Sequence, residues 1–314
     1  MIMNSCNEIG GYFGLEINSS ENFQFDKSAI LLNTARNCLR YVIRAFNIKA
    51  INVPYYTCPV VWQAIKKEGC EIKFYHIGKD FLPLTEFDKD EFILYTNYFG
   101  ICAKNVKLLA EKYKNLIIDN AQAFYMPKYG IASFNSVRKF FGVPDGAILY
   151  SNKKTNENFE IDTSYNRCSH LLKRIDVTAS FGYSDFCKND DSLSDEPIKY
   201  MSNLTKAVLA AVDTEKAKQK RFQNFKVLSE HLNCTNKLDI QLDDDDVPMV
   251  YPYLVKDNGL KQRLIKNKIY VATYWNSLPD ESIEGEFQKY LVPLPVDQRY
   301  DEIDMKRIIE VIND

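Results

Sequence analysis

The sequence predicts an α/β fold: a parallel sheet covered by helices on both faces, followed by a smaller α/β unit. Three observations carry this. Short apolar strands alternate with helical segments through the first half. One of them, Leu116-Ile117-Ile118-Asp119, is apolar throughout and closes on an acid, as a strand buried on both faces does. The chain has 314 residues, 46% of them hydrophobic, enough for a large core and a second, smaller one.

Residues 33–46 (NTARNCLRYVIRAF) read as an amphipathic helix. Leu39, Val42, Ile43 and Phe46 form one stripe at 3- and 4-residue spacing, and Asn33 and Thr34 offer N-cap chemistry. Strand 50–54 follows, then a helix over 58–68 closed by Gly69, and strands at 71–77 and 92–96. A helix at 103–114 leads to strand 116–119, and strands at 131–134 and 147–150 complete the half. Residues 151–200 read as polar and irregular, and 201–232 as one long helix, apolar first and then basic. The remainder alternates again: strand 249–255, helix 259–267, strand 269–273 and a final helix over 301–312. The expected division is a large domain over 1–224 and a small C-terminal α/β domain over 225–314.

Lys and Arg number 40 against 42 Asp and Glu, a net charge of −2, which argues against a nucleic-acid partner. The Asp243–Asp246 run is expected to be a solvated loop, since four adjacent side chains cannot converge on one ion. Eight cysteines are scattered with no C-x-x-C pair, from Cys6 to Cys234, and are expected to be reduced small hydrophobes. His76, His170 and His231 stand apart, so no metal site is expected. The start, MIMNSCNEIGG, lacks a signal-peptide pattern, and no apolar run reaches the length of a membrane span. A soluble, cytoplasmic protein is expected.

Three features fall at strand–helix junctions, where ligands of parallel sheets sit. Asn33-Thr34-Ala35-Arg36-Asn37 opens a helix, whose free N–H groups and dipole suit a phosphate; the same residues also read as an ordinary N-cap. Asp119 ends a buried strand, where a carboxylate needs a cation or hydrogen-bond donors, and Gln122 follows three residues on; a structural aspartate capping a turn is the alternative. Lys139 stands beside Arg138 and among Val137, Phe140, Phe141 and Val143. An amine in that setting is expected to lose its proton readily and attack a carbonyl; taken alone, it also reads as a surface charge. Together the three describe a site for pyridoxal 5'-phosphate: phosphate at a helix start, ring nitrogen on an acid, aldehyde on a lysine.

At these residues the chain resembles the DegT/StrS-type sugar aminotransferases, fold-type I pyridoxal-phosphate enzymes, and does so over nearly its whole length. Asn33 to Leu39 is similar to their small-residue phosphate turn, Val53 to Cys58 to their P-x-x-T-F segment, and Asn97 to Gly100 to their h-x-x-G segment. Asp119-Asn120-Ala121-Gln122 resembles D-x-A-Q/H, and Ser133 to Ala147 matches the lysine segment without a gap, with Lys139 at the Schiff-base position. Tyr200 to Leu204, Arg221 to Leu228 and Pro293 to Tyr300 resemble three later motifs.

The resemblance implies a mostly parallel, seven-stranded sheet plus a small C-terminal domain, in a homodimer. It implies a pyridoxal 5'-phosphate-dependent transfer of an amino group from an amino acid, glutamate in most members, to a keto sugar, usually nucleotide-linked, in surface-polysaccharide biosynthesis. Lys139 and Asp119 would be catalytic. Gln122, Ala35, Arg36, Asn37, Tyr56, Cys58, Ser136 and Arg138 would hold the cofactor. Apart from the resemblance, Arg299 reads as a fork for a substrate carboxylate or as a surface ion pair, Tyr98 as a pocket-lining or a core tyrosine, and Trp275 with Tyr270 and Tyr274 as the substrate entrance or a small-domain core. Three positions depart from the pattern: Phe134 stands where the family has a phosphate-binding serine, Cys58 where it has the aromatic residue that stacks on the ring, and Ile198 where it has a partner-subunit asparagine. Tyr56 is the expected substitute for the missing ring. The alternatives are a cofactor-binding sensor or scaffold, and a dehydratase or lyase on the same cofactor.

Overall fold

The computed structural model describes residues 14–17, 24–275 and 282–314. Cys6 and the amino-terminal stretch MIMNSCNEIGG lie outside them up to residue 13. Its first half is β1 (Ile30–Leu32), α1 (Ala35–Phe46), β2 (Ala50–Pro54), α2 (Pro59–Lys67), β3 (Glu71–Tyr75), β4 (Ile93–Thr96), α3 (Ala103–Lys112), β5 (Leu116–Asn120), β6 (Ala132–Asn135) and β7 (Ala147–Ser151). These strands form one seven-stranded sheet in the order β1-β7-β6-β5-β4-β2-β3. β7 is antiparallel to both its neighbours and every other pairing is parallel, so β7 alone runs against the rest.

The pleat explains the apolar strands. In β5, Ile117 packs with α1 and α2 through Leu39, Val42, Ile43 and Ile65, while Leu116 and Ile118 join the opposite core with Val106 and Leu109 of α3. α1 starts where Thr34 Oγ1 accepts the Asn37 N–H at 3.2 Å and ends at Asn47, which adopts a left-handed conformation.

The second half holds α4 (Ser169–Asp176), α5 (Ala179–Ser192), α6 (Asn203–Ala210), α7 (Thr214–Leu232), β8 (Val250–Leu254), α8 (Leu260–Lys266), α9 (Ile283–Tyr290), β9 (Leu291–Pro295) and α10 (Glu302–Asn313). Here three expectations are corrected. Residues 151–200 are not irregular throughout: they carry α4 and α5. The apolar side chains of those helices, Leu172, Ile175, Phe181 and Tyr183, are exposed, so no buried stripe marked them. The helix expected over 201–232 is two, because the Asp213 side chain captures the Lys216 N–H and starts α7 afresh. Residues 269–273 form no strand, since β8 and β9 pair with each other and with nothing else. β9 is tolerated despite Pro293 and Pro295 because both strands of a two-stranded sheet are edges.

The acidic run is docked rather than merely solvated. Buried Asp246 accepts the Ala103 N–H at 2.8 Å at the start of α3, while Asp243 and Asp245 both pair with Lys107. A separate core gathers Phe225, Leu228, Tyr251, Leu264, Leu294 and Ile308 from α7, β8, α8, β9 and α10. No helix among the described residues is long and apolar enough to cross a membrane, and the seven described cysteines are free.

Candidate active site

Every junction singled out in the sequence opens at one edge of the sheet. The carboxyl ends of β1, β2, β4, β5 and β6 deliver Asn33, Thr57, Asn97, Ala121 and Ser136 there, and β7, running the other way, begins there after Gly146. Asp119, one residue from the end of β5, pairs in register with Thr96 and Phe134 and is buried. It accepts the Ala121 N–H at 2.8 Å. Burial raises its pKa, and the charge of Lys139 and the Ala121 bond act against that rise.

Gln122 is positioned by the turn after β4. Its Oε1 accepts the Phe99 N–H at 2.8 Å, and its buried Nε2 has no partner. Phe99 and Gly100 both hold positive φ, because Met249 donates its N–H to Phe99 O at 2.8 Å and brings the 247–249 backbone against the turn. A Cβ on Gly100 would lie 2.4 Å from Val247 O, so the position requires glycine. Unpartnered buried amides are rare, and this one presents a donor in the turn three residues after Asp119.

Lys139 closes a single 3-10 turn, Val137–Lys139, and its side chain is exposed. The apolar setting expected around its amine is not there: Val137, Phe140, Phe141 and Val143 turn inward to a core of their own with Ile148 and Met201. That core fixes the backbone of the turn and leaves the amine at the edge of the sheet. Asp145, fully buried, accepts from Ser202 N–H at 2.9 Å, from Ser202 Oγ at 2.7 Å and from Thr205 Oγ1. It thereby ties the far side of the turn to the start of α6.

The helix start divides its residues. Ala35 and Arg36 are half-buried at the first two positions of α1, where backbone N–H groups have no acceptor within the helix. Asn37 is corrected from its expected role: it is fully buried and donates to Asn33 Oδ1 at 2.9 Å and Pro197 O at 2.8 Å. The Arg36 guanidinium reaches Leu193 O at 3.3 Å; burial lowers its pKa, and Asp190, Arg138 and Cys58 lie close enough to act on it. Arg138 donates to Asp190 Oδ1 of α5 at 3.0 Å. Two guanidiniums therefore flank the start of α1. Ser136 begins the lysine turn without capping it by its side chain.

Other expected residues lie elsewhere. Tyr56 does not replace the missing ring: it is a fully buried core side chain, 4.8 Å from the Trp275 ring and 5.3 Å from that of Phe287. Tyr98, also fully buried, donates to Tyr56 O at 2.8 Å and belongs to the same aromatic core. Arg299 forks onto Asp297 at 2.6 and 2.8 Å, so its guanidinium is already paired. Cys58 is half-buried at the start of α2. Asp190 was missed by sequence reading, whereas Tyr274 was read there beside Trp275 as an entrance or core residue. Asp190 lies in a helix the composition hid.

An amine, a buried carboxylate, a buried amide donor and a cationic helix start together suit a ligand with a carbonyl, a basic ring nitrogen and an anionic group. Among the described residues no group of three His, Cys, Asp or Glu could hold a metal ion.

No family model matches the chain, and no curated protein sequence matches it. Solved structures do. The chain is similar to a DegT DnrJ EryC1 StrS aminotransferase from Brucella abortus, with 16% identity and TM-score 0.61 over 91% of this chain and 85% of that one. It is similar to DesV of S. venezuelae, solved in complex with a ketimine intermediate, with 15% identity and TM-score 0.63 over 90% and 83%. NtdA from Bacillus subtilis, solved with bound cofactor PMP, gives 13% identity and TM-score 0.61 over 91% and 72%. The fold of this chain is that of the fold-type I aminotransferases of the DegT/DnrJ/EryC1/StrS group.

Proposed function

We propose that the protein is a pyridoxal 5'-phosphate-dependent aminotransferase that moves an amino group from an amino acid, glutamate by preference, to a keto sugar carried on a nucleotide. The observation that carries this reading is the partnerless Gln122 amide in the turn three residues after buried Asp119, with the charge of Lys139 acting on that carboxylate. The donor set fits the cofactor: Gln122 Nε2 for the ring hydroxyl, Asp119 for a protonated ring nitrogen, and the α1 start with Arg36 and Arg138 for the phosphate. When bound, the cofactor acts as an electron sink for the substrate carbon. Asp119 would hold the ring nitrogen with its carboxylate. Lys139 Nζ, exposed and with no carboxylate in hydrogen-bond reach among the described residues, carries the proton at the substrate carbon. The fold shared with DesV and the Brucella enzyme supports the aminotransferase part of the reading. The nucleotide link and a place in surface-polysaccharide synthesis rest on the sequence resemblance. A homodimer completing the site belongs to the same reading, and light scattering tests it.

Purified protein incubated with pyridoxal 5'-phosphate should turn yellow, and L-glutamate should shift its absorbance toward the pyridoxamine form. Lys139→Ala should lose the yellow band and keep the fold. A protein that takes up no cofactor overturns the enzyme reading; one that binds it and answers to no amino acid is a sensor or a lyase instead.

A further inference from the structure

We infer that Tyr274, from the loop after α8, supplies the aromatic face that Cys58 does not provide to the cofactor ring. The inference rests on the cofactor reading above and adds a residue to it. Tyr274 is half-buried and packs on two cores at once: the aromatic one that holds Tyr56, Tyr98 and Phe99, and the one under the lysine turn that holds Val137, Phe140 and Phe141. Its side chain thus lies between the aromatic core under the Phe99 turn and the core that also backs the lysine turn. Its ring centroid is 6.1 Å from that of Phe99, whose N–H orients Gln122, and 5.1 Å from that of Trp275.

Cys58 is its neighbour, close enough for the thiol's charge to act on the phenol, and both side chains pack against the same aromatic core. Burial pushes the Tyr274 pKa up to about 12, so the ring is neutral at physiological pH and presents an uncharged π-face. A planar heteroaromatic ring bound beside Asp119 and Gln122 needs an apolar cover, and a cysteine at Cys58 is too small to give one. Trp275, buried against Tyr56 at 4.8 Å, anchors the loop from which Tyr274 projects.

The test is cofactor titration of the full chain, read by visible absorbance, by the circular dichroism induced in the bound ring, and by thermal stability without cofactor. Tyr274→Phe should bind as wild type does. Tyr274→Leu, which keeps apolar volume without a π-face, should weaken binding about tenfold and reduce the induced dichroism. Tyr274→Ala should do the same where it folds, and Tyr274→Leu decides where it does not. Adding Cys58→Phe to Tyr274→Leu should restore affinity, which a purely structural role for Tyr274 would not allow. Wild-type affinity in Tyr274→Leu, or no rescue by Cys58→Phe, overturns the role of Tyr274 and leaves the cofactor reading standing. A wild-type protein that binds no cofactor overturns both.

Discussion

Gly146 donates its backbone N–H to Asn33 O at 2.6 Å, joining the turn after Lys139 to the segment that opens α1. The amine and the phosphate-type helix start are therefore held by one contact between two backbones. Gly146 has φ +113°, and a Cβ there would lie 2.7 Å from Val137 Cγ2, 3.0 Å from Thr205 Cγ2 and 3.1 Å from Met201 Cε. Gly146→Ala is expected to destabilise the fold by about 2–4 kcal/mol, from backbone strain plus overpacking. Urea unfolding measures this, and an unchanged midpoint would show that the three segments are not locked there.

Asp119→Asn separates stability from chemistry. Burial raises the folded-state pKa of Asp119, so its stabilising share is complete below the unfolded carboxylate value near 4 and is lost as pH rises through the folded value. Without cofactor, Asp119→Asn should therefore match or exceed wild-type stability at pH 8 and fall behind toward pH 4. Turnover should drop on the order of 100-fold, as when one group aimed at developing charge is removed. Thermal unfolding across pH and a glutamate half-reaction assay read the two effects.

The Arg138–Asp190 pair is partly exposed and should count little for stability, below about 1 kcal/mol. Its effect falls on anion binding. Arg138→Ala should weaken cofactor affinity roughly tenfold, and Asp190→Asn, which frees the guanidinium, should strengthen it a few-fold. Equal affinities in all three proteins would place the phosphate elsewhere.

Asp246 is raised to about 6 by burial while it caps α3. Its contribution is present at low pH and lost as pH rises through that value, since the neutral form suits the buried site. The stability gap between wild type and Asp246→Ala should be larger at pH 5 than at pH 8 by about 1 kcal/mol. Denaturant titrations at the two pH values give the difference directly, with other titrating groups common to both proteins.

The sequence alone determined the strand–helix alternation of the first half and singled out Asp119, Gln122 and Lys139 at its strand ends. Both are local matters: a buried parallel strand writes itself as an apolar run, and a residue at its carboxyl end must face the ligand edge. The tertiary structure decided which neighbours of that trio are free to act. Asn37 looked like part of an anion site until residues 196–197 packed on α1 and took its amide. Tyr56 and Tyr98 carry nothing in their local sequence to separate a core ring from a lining one, and Trp275 and Phe287 from far along the chain enclose them. Arg138 has its partner 52 residues away in a helix with an exposed apolar face, which periodicity does not report. Tyr274 meets both the aromatic core and the core under the lysine turn only because the loop after α8 folds back between them. Contacts across such separations depend on the packing of whole elements, and side-chain spacing along the chain records only the elements themselves.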